Sequence, residues 1–267
     1  MNSLWLSNNN FIKEIDTSNT SNKTLLETDV CIVGAGIFGL TCAYYLSNLG
    51  YRVTVLEKDK IGEKTTGNTT AKITSQHGLF YSYLANSYSQ KFAQDYLEAN
   101  EQAIKNIKNI IDKEKIKCDF EYKNSYVYTT KKEDLKFIKK EQKAIENLGF
   151  NCEYVTKTGL PFEIEGAICF KNQAQFHPLK YLNGLCHCIT KNNNEIYTNS
   201  TVFDVQKEND FYITFSNNFN VKSKYVIVAT HYPFINFPGF YFAKMYQSTS
   251  YLIAVDTKKT LFNGMYI

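Results

Sequence analysis

Apolar positions fall into two rhythms along this chain. Val30, Cys31, Ile32 and Val33 make an unbroken run, and Val53, Thr54, Val55 and Leu56 make another. Both are rich in β-branched residues and read as strands buried on both faces. Positions 37–49 between them read as a helix, with Gly50 as its C-terminal cap. Steps of three and four recur at Phe92, Tyr96, Ala99, Ala103, Ile107 and Ile110. That period predicts a long amphipathic helix over 85–115 with this stripe in the core. The same period at Leu135, Ile138, Ile145 and Leu148 predicts a helix over 132–148 capped by Gly149, and it recurs at Leu179, Leu182, Leu185, Cys186 and Ile189. Pro178 suits the first position of that third helix, and three asparagines at 192–194 end it. Alternation around Tyr126, Val127 and Tyr128 predicts a strand over 120–130. Shorter strands are expected at 152–155, 167–170, 195–197, 201–205, 211–215 and 225–229, with a turn at 160–164. Residues 245–267 read as strands in progress. Residues 1–27 are polar and read as a leader covering a surface, with Trp5 and Leu6 tucked onto the body.

The first strand runs into Gly34-Ala35-Gly36-Ile37-Phe38-Gly39, and the second ends at Glu57. Strand, glycine turn, helix, strand and terminal acid together make a βαβ unit with a dinucleotide fingerprint. Gly34 permits the tight turn, Gly36 lets backbone approach a pyrophosphate, and Gly39 lets the helix pack on the strand. The helix N-terminus, starting at Ile37 and Phe38, presents free N–H groups and positive dipole to phosphate. A carboxylate at Glu57 accepts from a ribose 2′-hydroxyl and repels a 2′-phosphate, so FAD or NAD is expected rather than NADP. Beyond Lys58, residues 60–80 form a hydroxyl-rich loop on the ligand side of the sheet. Its threonines and amides suit phosphate oxygens, and they equally suit a solvated loop.

Composition narrows the class. The chain has 267 residues and a net charge of +4 with both signs interspersed, which gives no nucleic-acid face. No apolar run approaches a membrane span. The N-terminus lacks the basic start and apolar core of a secretory signal. Seven cysteines without framework spacing indicate a reducing, cytoplasmic setting. Cys186-His187-Cys188 invites a metal reading. Residues two apart on a helix diverge, however, and no second ligand pair follows, so no metal is expected.

Four segments resemble the D-amino-acid-oxidase-like (DAO) family of FAD-dependent oxidoreductases: 29–57, TTGNTTAKITSQHG (65–78), QAQFHPLKYLNGL (173–185) and YVIVATHYP (225–233). The family includes glycine and sarcosine oxidases, and some bacterial members add a C-terminal Rieske iron–sulfur domain. The resemblance implies an α/β fold: a Rossmann-like FAD/NAD(P)-binding domain at 28–80 and 166–235, with an inserted mixed-sheet α+β substrate domain at 81–165 and 236–267. Family members continue beyond this length, so the chain is expected to be a truncated N-terminal portion.

The resemblance also implies residue roles. Gly34, Gly36 and Gly39 receive the pyrophosphate and Glu57 the adenosine ribose. Thr66, Gly67, Thr69, Thr70 and Ala71 run beside the pyrophosphate and ribityl chain. Val202 faces adenine, and Ala229 and Thr230 lie close to FAD. The implied chemistry is oxidation of a C–N bond in an amine or amino acid, with electrons passed to oxygen or to an iron–sulfur protein. A non-catalytic fragment that binds FAD weakly is the alternative. His77, Lys72 and Tyr251 are the candidates for a catalytic role; His77 also reads as a structural histidine and Lys72 as a solvated lysine. His177 reads as a helix-start residue.

Overall fold

The computed structural model describes residues 3–6, 15–17, 25–258 and 262–267. In chain order the elements begin with β1 (Ile15–Asp16), β2 (Leu25–Val33), α1 (Ile37–Asn48), β3 (Val53–Leu56) and β4 (Lys72–Ile73). Then come α2 (Tyr81–Ser87), α3 (Gln90–Glu114), β5 (Glu121–Thr129), α4 (Leu135–Asn147), β6 (Glu153–Val155) and β7 (Gly166–Gln175). The remainder is α5 (Pro178–Lys191), β8 (Glu195–Thr198), β9 (Val202–Glu208), β10 (Phe211–Ser216), β11 (Asn220–Val228), α6 (Tyr241–Lys244) and β12 (Met265–Tyr266). The chain divides into two compact units. The first comprises Met1–Thr70, Ile116–Cys118 and His177–Ile253; the second comprises Ala71–Lys115, Asp119–Phe176 and Ala254–Ile267. The division groups 71–80 and 166–176 with the second unit, where the sequence placed them with the nucleotide-binding domain. It groups 236–253 with the first.

The first unit is built on a seven-stranded sheet in the order β1-β8-β3-β2-β11-β10-β9. Strands β1, β8, β3, β2 and β11 run parallel, and β11, β10 and β9 form an antiparallel meander. Register positions the site. Val33 pairs with Leu56 on one side and with Val228 on the other. Three parallel strands therefore finish level, and the chain leaves all three at one edge. Cys31, Ile32, Val55 and Leu56 are fully buried, as expected of strands covered on both faces. Helices α1 and α5 pack together. The predicted stripe of α5 is wholly buried, from Leu179 to Ile189. Each such aliphatic side chain contributes about 1.5–3 kcal/mol relative to exposure.

The polar leader needs correction. Ile15 and Asp16 pair parallel with Tyr197 and Thr198, and Thr17 is buried with its hydroxyl donating to the Thr198 carbonyl at 2.7 Å. This stretch is an edge strand, and β2 begins at Leu25, five residues before the expected start at Val30. The expected extended run at the C-terminal end is also shorter. Residues 245–257 adopt no regular structure, and within 245–267 the described strand is β12.

The second unit holds a five-stranded mixed sheet, β12-β5-β7-β4 with β6 beside β7. Strand β7 is ten residues long, where a four-residue strand was expected. Tyr81, Leu97, Val127, Ile138, Ile145, Ile168 and Phe170 form its core. The 85–115 helix divides into the end of α2 and α3, with Ser89 capping α3 by accepting from the Phe92 N–H at 3.1 Å. Its buried face is Ala93, Leu97, Ile104, Ile110 and Ile111; of the predicted stripe Ile110 is buried, while Phe92, Ala99 and Ala103 are exposed. Ala93, Leu97, Ile104 and Ile111 each lie one residue beyond a predicted position, about 100° around the helix, while Ile110 belongs to both faces. In α4, Ile138 and Ile145 are buried as expected, and Glu141 lies buried between them. Its carboxylate accepts the Tyr81 and Ser82 N–H groups at 2.6 and 2.8 Å, so one helix caps the start of another.

Candidate functional site

Strand β2 leaves the sheet through Gly34, whose φ of +110° belongs to the left-handed side. A Cβ there would stand 2.7 Å from the Ala229 carbonyl oxygen, because β11 ends beside it. A Cβ on Gly39 would meet the Gly34 carbonyl oxygen at 2.0 Å, so α1 seats directly on the turn. Both positions exclude side chains for steric reasons. The turn brings the α1 N-terminus to the level edge of β3, β2 and β11. A crevice at such an edge, where neighbouring strands lead to opposite sides, is where ligands sit in open α/β sheets.

A cavity of about 750 Å³ opens there. Gly34, Gly36, Ile37 and Phe38 line it from the first turn. Glu57 and Lys58 line it from the end of β3, Thr66 from the loop, Val202 from β9, and Ala229 and Thr230 from beyond β11. The Glu57 carboxylate is fixed by backbone: Oε2 accepts the Ala35 N–H at 2.7 Å and Oε1 the Asp59 N–H at 3.0 Å. These are charge-assisted bonds. A carboxylate offers about four lone-pair sites, so two remain for an incoming hydroxyl. Thr66 Oγ1 accepts the Ile37 N–H at 3.1 Å, and Gly36 itself supplies no side-chain cap.

The remaining predicted loop residues serve the loop. Gly67 is buried against the Gly62 carbonyl, where a Cβ would stand 2.4 Å from the oxygen. The Thr69 carbonyl accepts from Trp5, and Thr70 is exposed. Ala71 and Lys72 open the second unit, where Lys72 pairs with Gln175; burial lowers the lysine's pKa. His77 is held by Tyr96, whose hydroxyl stands 2.8 Å from Nδ1, and loss of hydration pushes its pKa down. Tyr251 is 92 % exposed. None of these three candidates lines the cavity. His177 starts α5, with Nδ1 accepting the Lys180 N–H at 3.3 Å.

Sequence reasoning missed several lining residues. Thr65 and His231 line the cavity and meet at 3.2 Å between Oγ1 and Nδ1. Ser200, Thr201 and Phe234 also line it. His231 stood within a segment already singled out. Ser200 and Thr201 enter only because β8 joins β3, a pairing without a local signature.

The fit of a dinucleotide can be tested on the site itself. Thr230 Oγ1 is buried without a hydrogen-bond partner among the described residues, and an orphaned buried hydroxyl costs about 1–3 kcal/mol. Side-chain-free backbone at the turn, a fixed carboxylate and Thr230 line one cavity. The set suits a phosphate-and-ribose ligand.

Comparison with known proteins is consistent with this geometry. Residues 29–265 match the model of the DAO family, described as FAD dependent oxidoreductase. YhfW of Bacillus subtilis (strain 168), whose name places it among Rieske 2Fe-2S iron-sulfur proteins, is 35% identical over 241 residues, covering 90% of this chain and 47% of that protein. Gamma-glutamylputrescine oxidoreductase of Escherichia coli (strain K12) is 26% identical over 220 residues, covering 80% of this chain and 50% of that one. In structure, L-proline dehydrogenase from P. horikoshii superposes with a TM-score of 0.70 at 17% identity, over 91% of this chain and 65% of that one. Glycine oxidase from Geobacillus kaustophilus gives 0.61 at 16% identity, over 77% and 55%. The chain spans about half the length of the curated relatives it matches. Among the described residues, no helix is long and apolar enough to cross a membrane.

Proposed function

The chain belongs to the DAO family of FAD-dependent oxidoreductases, and from that premise we propose that its first unit holds the dinucleotide end of FAD in the cavity at the ends of β2, β3 and β11. The second unit would supply part of a substrate domain. The carrying observation is the convergence of Gly34, Glu57 and Thr230, brought together by strands in register. Glu57 would bind the ribose hydroxyls with the lone pairs its two backbone contacts leave open. The turn and the α1 N-terminus would receive the pyrophosphate, with Thr66 holding the first helical N–H. Val202 and Phe234 would give the adenine an apolar wall.

When bound, the flavin supplies the hydride-accepting centre, and the surrounding protein orients the substrate. The reaction class we infer for the complete protein is oxidation of a C–N bond in an amine or amino acid. Its support is the family match, together with the glycine oxidase and L-proline dehydrogenase folds it resembles. The relative named as a Rieske protein favours a second reading of the electron acceptor, an iron–sulfur protein in place of oxygen.

The test is the visible spectrum of the purified chain after incubation with FAD and desalting. Retention of about one flavin per chain is expected. A colourless chain that also gives no fluorescence titration with FAD would overturn the cavity assignment. Peroxide formation with a panel of amines separates the two electron acceptors.

A further inference from the structure

We propose that the N-terminal turn is a clasp, in which Trp5 is a positioning residue that holds the 65–70 loop on the cavity and so sets how long a dinucleotide stays bound. This rests on the dinucleotide reading of the cavity given above.

The turn is organised to present the indole. The Ser3 carbonyl accepts the Leu6 N–H at 3.1 Å, and the Ser3 hydroxyl accepts the Trp5 N–H at 3.3 Å. A serine that binds its own following backbone makes a compact turn without help from the body of the protein. From it, the Trp5 indole N–H donates to the Thr69 carbonyl at 2.8 Å, across 64 positions of sequence. The indole ring meets the His177 ring edge-on, with centroids 5.0 Å apart. That platform is firm: the His177 N–H donates to the Cys118 carbonyl at 2.7 Å, and Nδ1 caps α5. Leu6 completes the contact, since a Cβ on Gly67 would lie 3.2 Å from Leu6 Cδ2.

The loop itself is tied to the cavity by its other end. Thr65 meets His231, and Thr66 accepts from the first residue of α1. Asn68 folds the loop back on itself, donating to the Glu63 and Lys64 carbonyls at 3.0 and 2.6 Å. Two of the tethers therefore come from residues that line the cavity, and one comes from a remote turn. Without the remote tether the 67–70 arm keeps the Asn68 bonds and the Gly67 contact with the Gly62 carbonyl but loses its bond to the N-terminal turn, and Thr66 would be released from the α1 N-terminus more often. A neutral hydrogen bond contributes on the order of 1 kcal/mol net, which corresponds to roughly fivefold in the opening of the loop. Losing the ring contact as well should deepen that effect.

Two variants and two readouts test the clasp. Trp5→Phe keeps an aromatic ring on His177 and deletes the N–H; Trp5→Ala deletes both. Amide exchange in the flavin-free chain is expected to rise about fivefold over 65–70 in Trp5→Phe and further in Trp5→Ala, with α5 and the second unit unchanged. FAD release from the loaded chain should accelerate in the same order. Unchanged exchange over 65–70 in Trp5→Ala overturns the clasp. So does a uniform rise across the first unit, which would make Trp5 an ordinary packing residue. Failure of the dinucleotide reading has its own signature: a wild-type chain that takes up no FAD while its loop still loosens in the variants.

Discussion

The hydroxyl of Thr66 accepts the N–H of Ile37 at 3.1 Å, so a loop residue caps the helix whose own N-cap, Gly36, has no side chain. The glycine that leaves room for a ligand would otherwise leave the first helical donor bare, and the threonine fills that role from 29 positions away. Replacing a capping hydroxyl costs about 0.5–2 kcal/mol. Thr66→Val should lower the stability of the flavin-free chain by about 1 kcal/mol in urea unfolding, and Thr66→Ser should restore it. Equal midpoints for Val and wild type would show that water caps the helix just as well.

The Glu57 carboxylate is oriented before any ligand arrives, by the Ala35 and Asp59 N–H groups. Glu57→Gln keeps the size, but an amide offers a single acceptor oxygen and a weaker one. Hydrogen bonds to a charged group are worth about 1.5–3 kcal/mol, so FAD should bind about ten- to a hundredfold more weakly by fluorescence titration. If Glu57→Gln bound FAD as tightly as wild type, the ribose assignment would be wrong.

What could be read in advance was local. The run from Val30 to Glu57 carries its strand, turn, helix and terminal acid within one stretch, and β3 matches its expected bounds residue for residue. The α5 stripe was equally clear, because its polar face has no competing apolar phase. Helix α3 was not: Phe92 and Ala103 directly precede Ala93 and Ile104, so two apolar phases compete. Only the sheet against which the helix packs decides between them. Residues 245–257 are apolar and β-prone, yet a strand exists only with a partner, and pairing cannot be read from one segment. The same holds for Trp5, whose acceptor is 64 positions distant.

Glu141 is a charge that periodicity would place on a helix surface, yet it is 1 % exposed. It spends both oxygens on the first two N–H groups of α2. Glu141→Ala leaves a buried and a partly buried donor unpaired, at about 1–3 kcal/mol for the buried one. The expected result is a loss of at least that size in chemical denaturation, with Glu141→Gln intermediate. FAD affinity of whatever remains folded should stay at the wild-type value, since Glu141 belongs to the second unit.

Asp29 in β2 binds Arg52, the residue just before β3. Its Oδ2 accepts the Arg52 N–H at 2.8 Å, and Oδ1 lies 3.2 Å from the guanidinium. The backbone N–H first, and then the guanidinium, hold the carboxyl below its ordinary value of 3.8. A depressed folded-state pKa contributes stability that is fully present above 3.8 and is lost as pH falls through the folded value. Asp29→Asn should therefore flatten the acid limb of the stability curve below about pH 4, with little change in its slope at neutrality. An unchanged acid limb would mean that solvent screens the exposed pair completely.

The cysteines divide by burial. Cys31 sits in the middle of β2, where loss of hydration pushes its thiol up to about 12. Cys152 is pushed up to about 11 for the same reason. At pH 8 a thiol with the Cys31 value is ionised in only roughly one molecule in ten thousand, and the thiolate is the reactive form. Cys42 and Cys188 are only partly buried. Iodoacetamide at pH 8 should therefore label Cys42 and Cys188 in the native chain while leaving Cys31 and Cys152 unmodified until denaturant is added, as read by peptide mass spectrometry. Rapid labelling of Cys31 without denaturant would mean that β2 opens to solvent far more often than a strand paired on both sides should, and the level edge that forms the cavity would open with it.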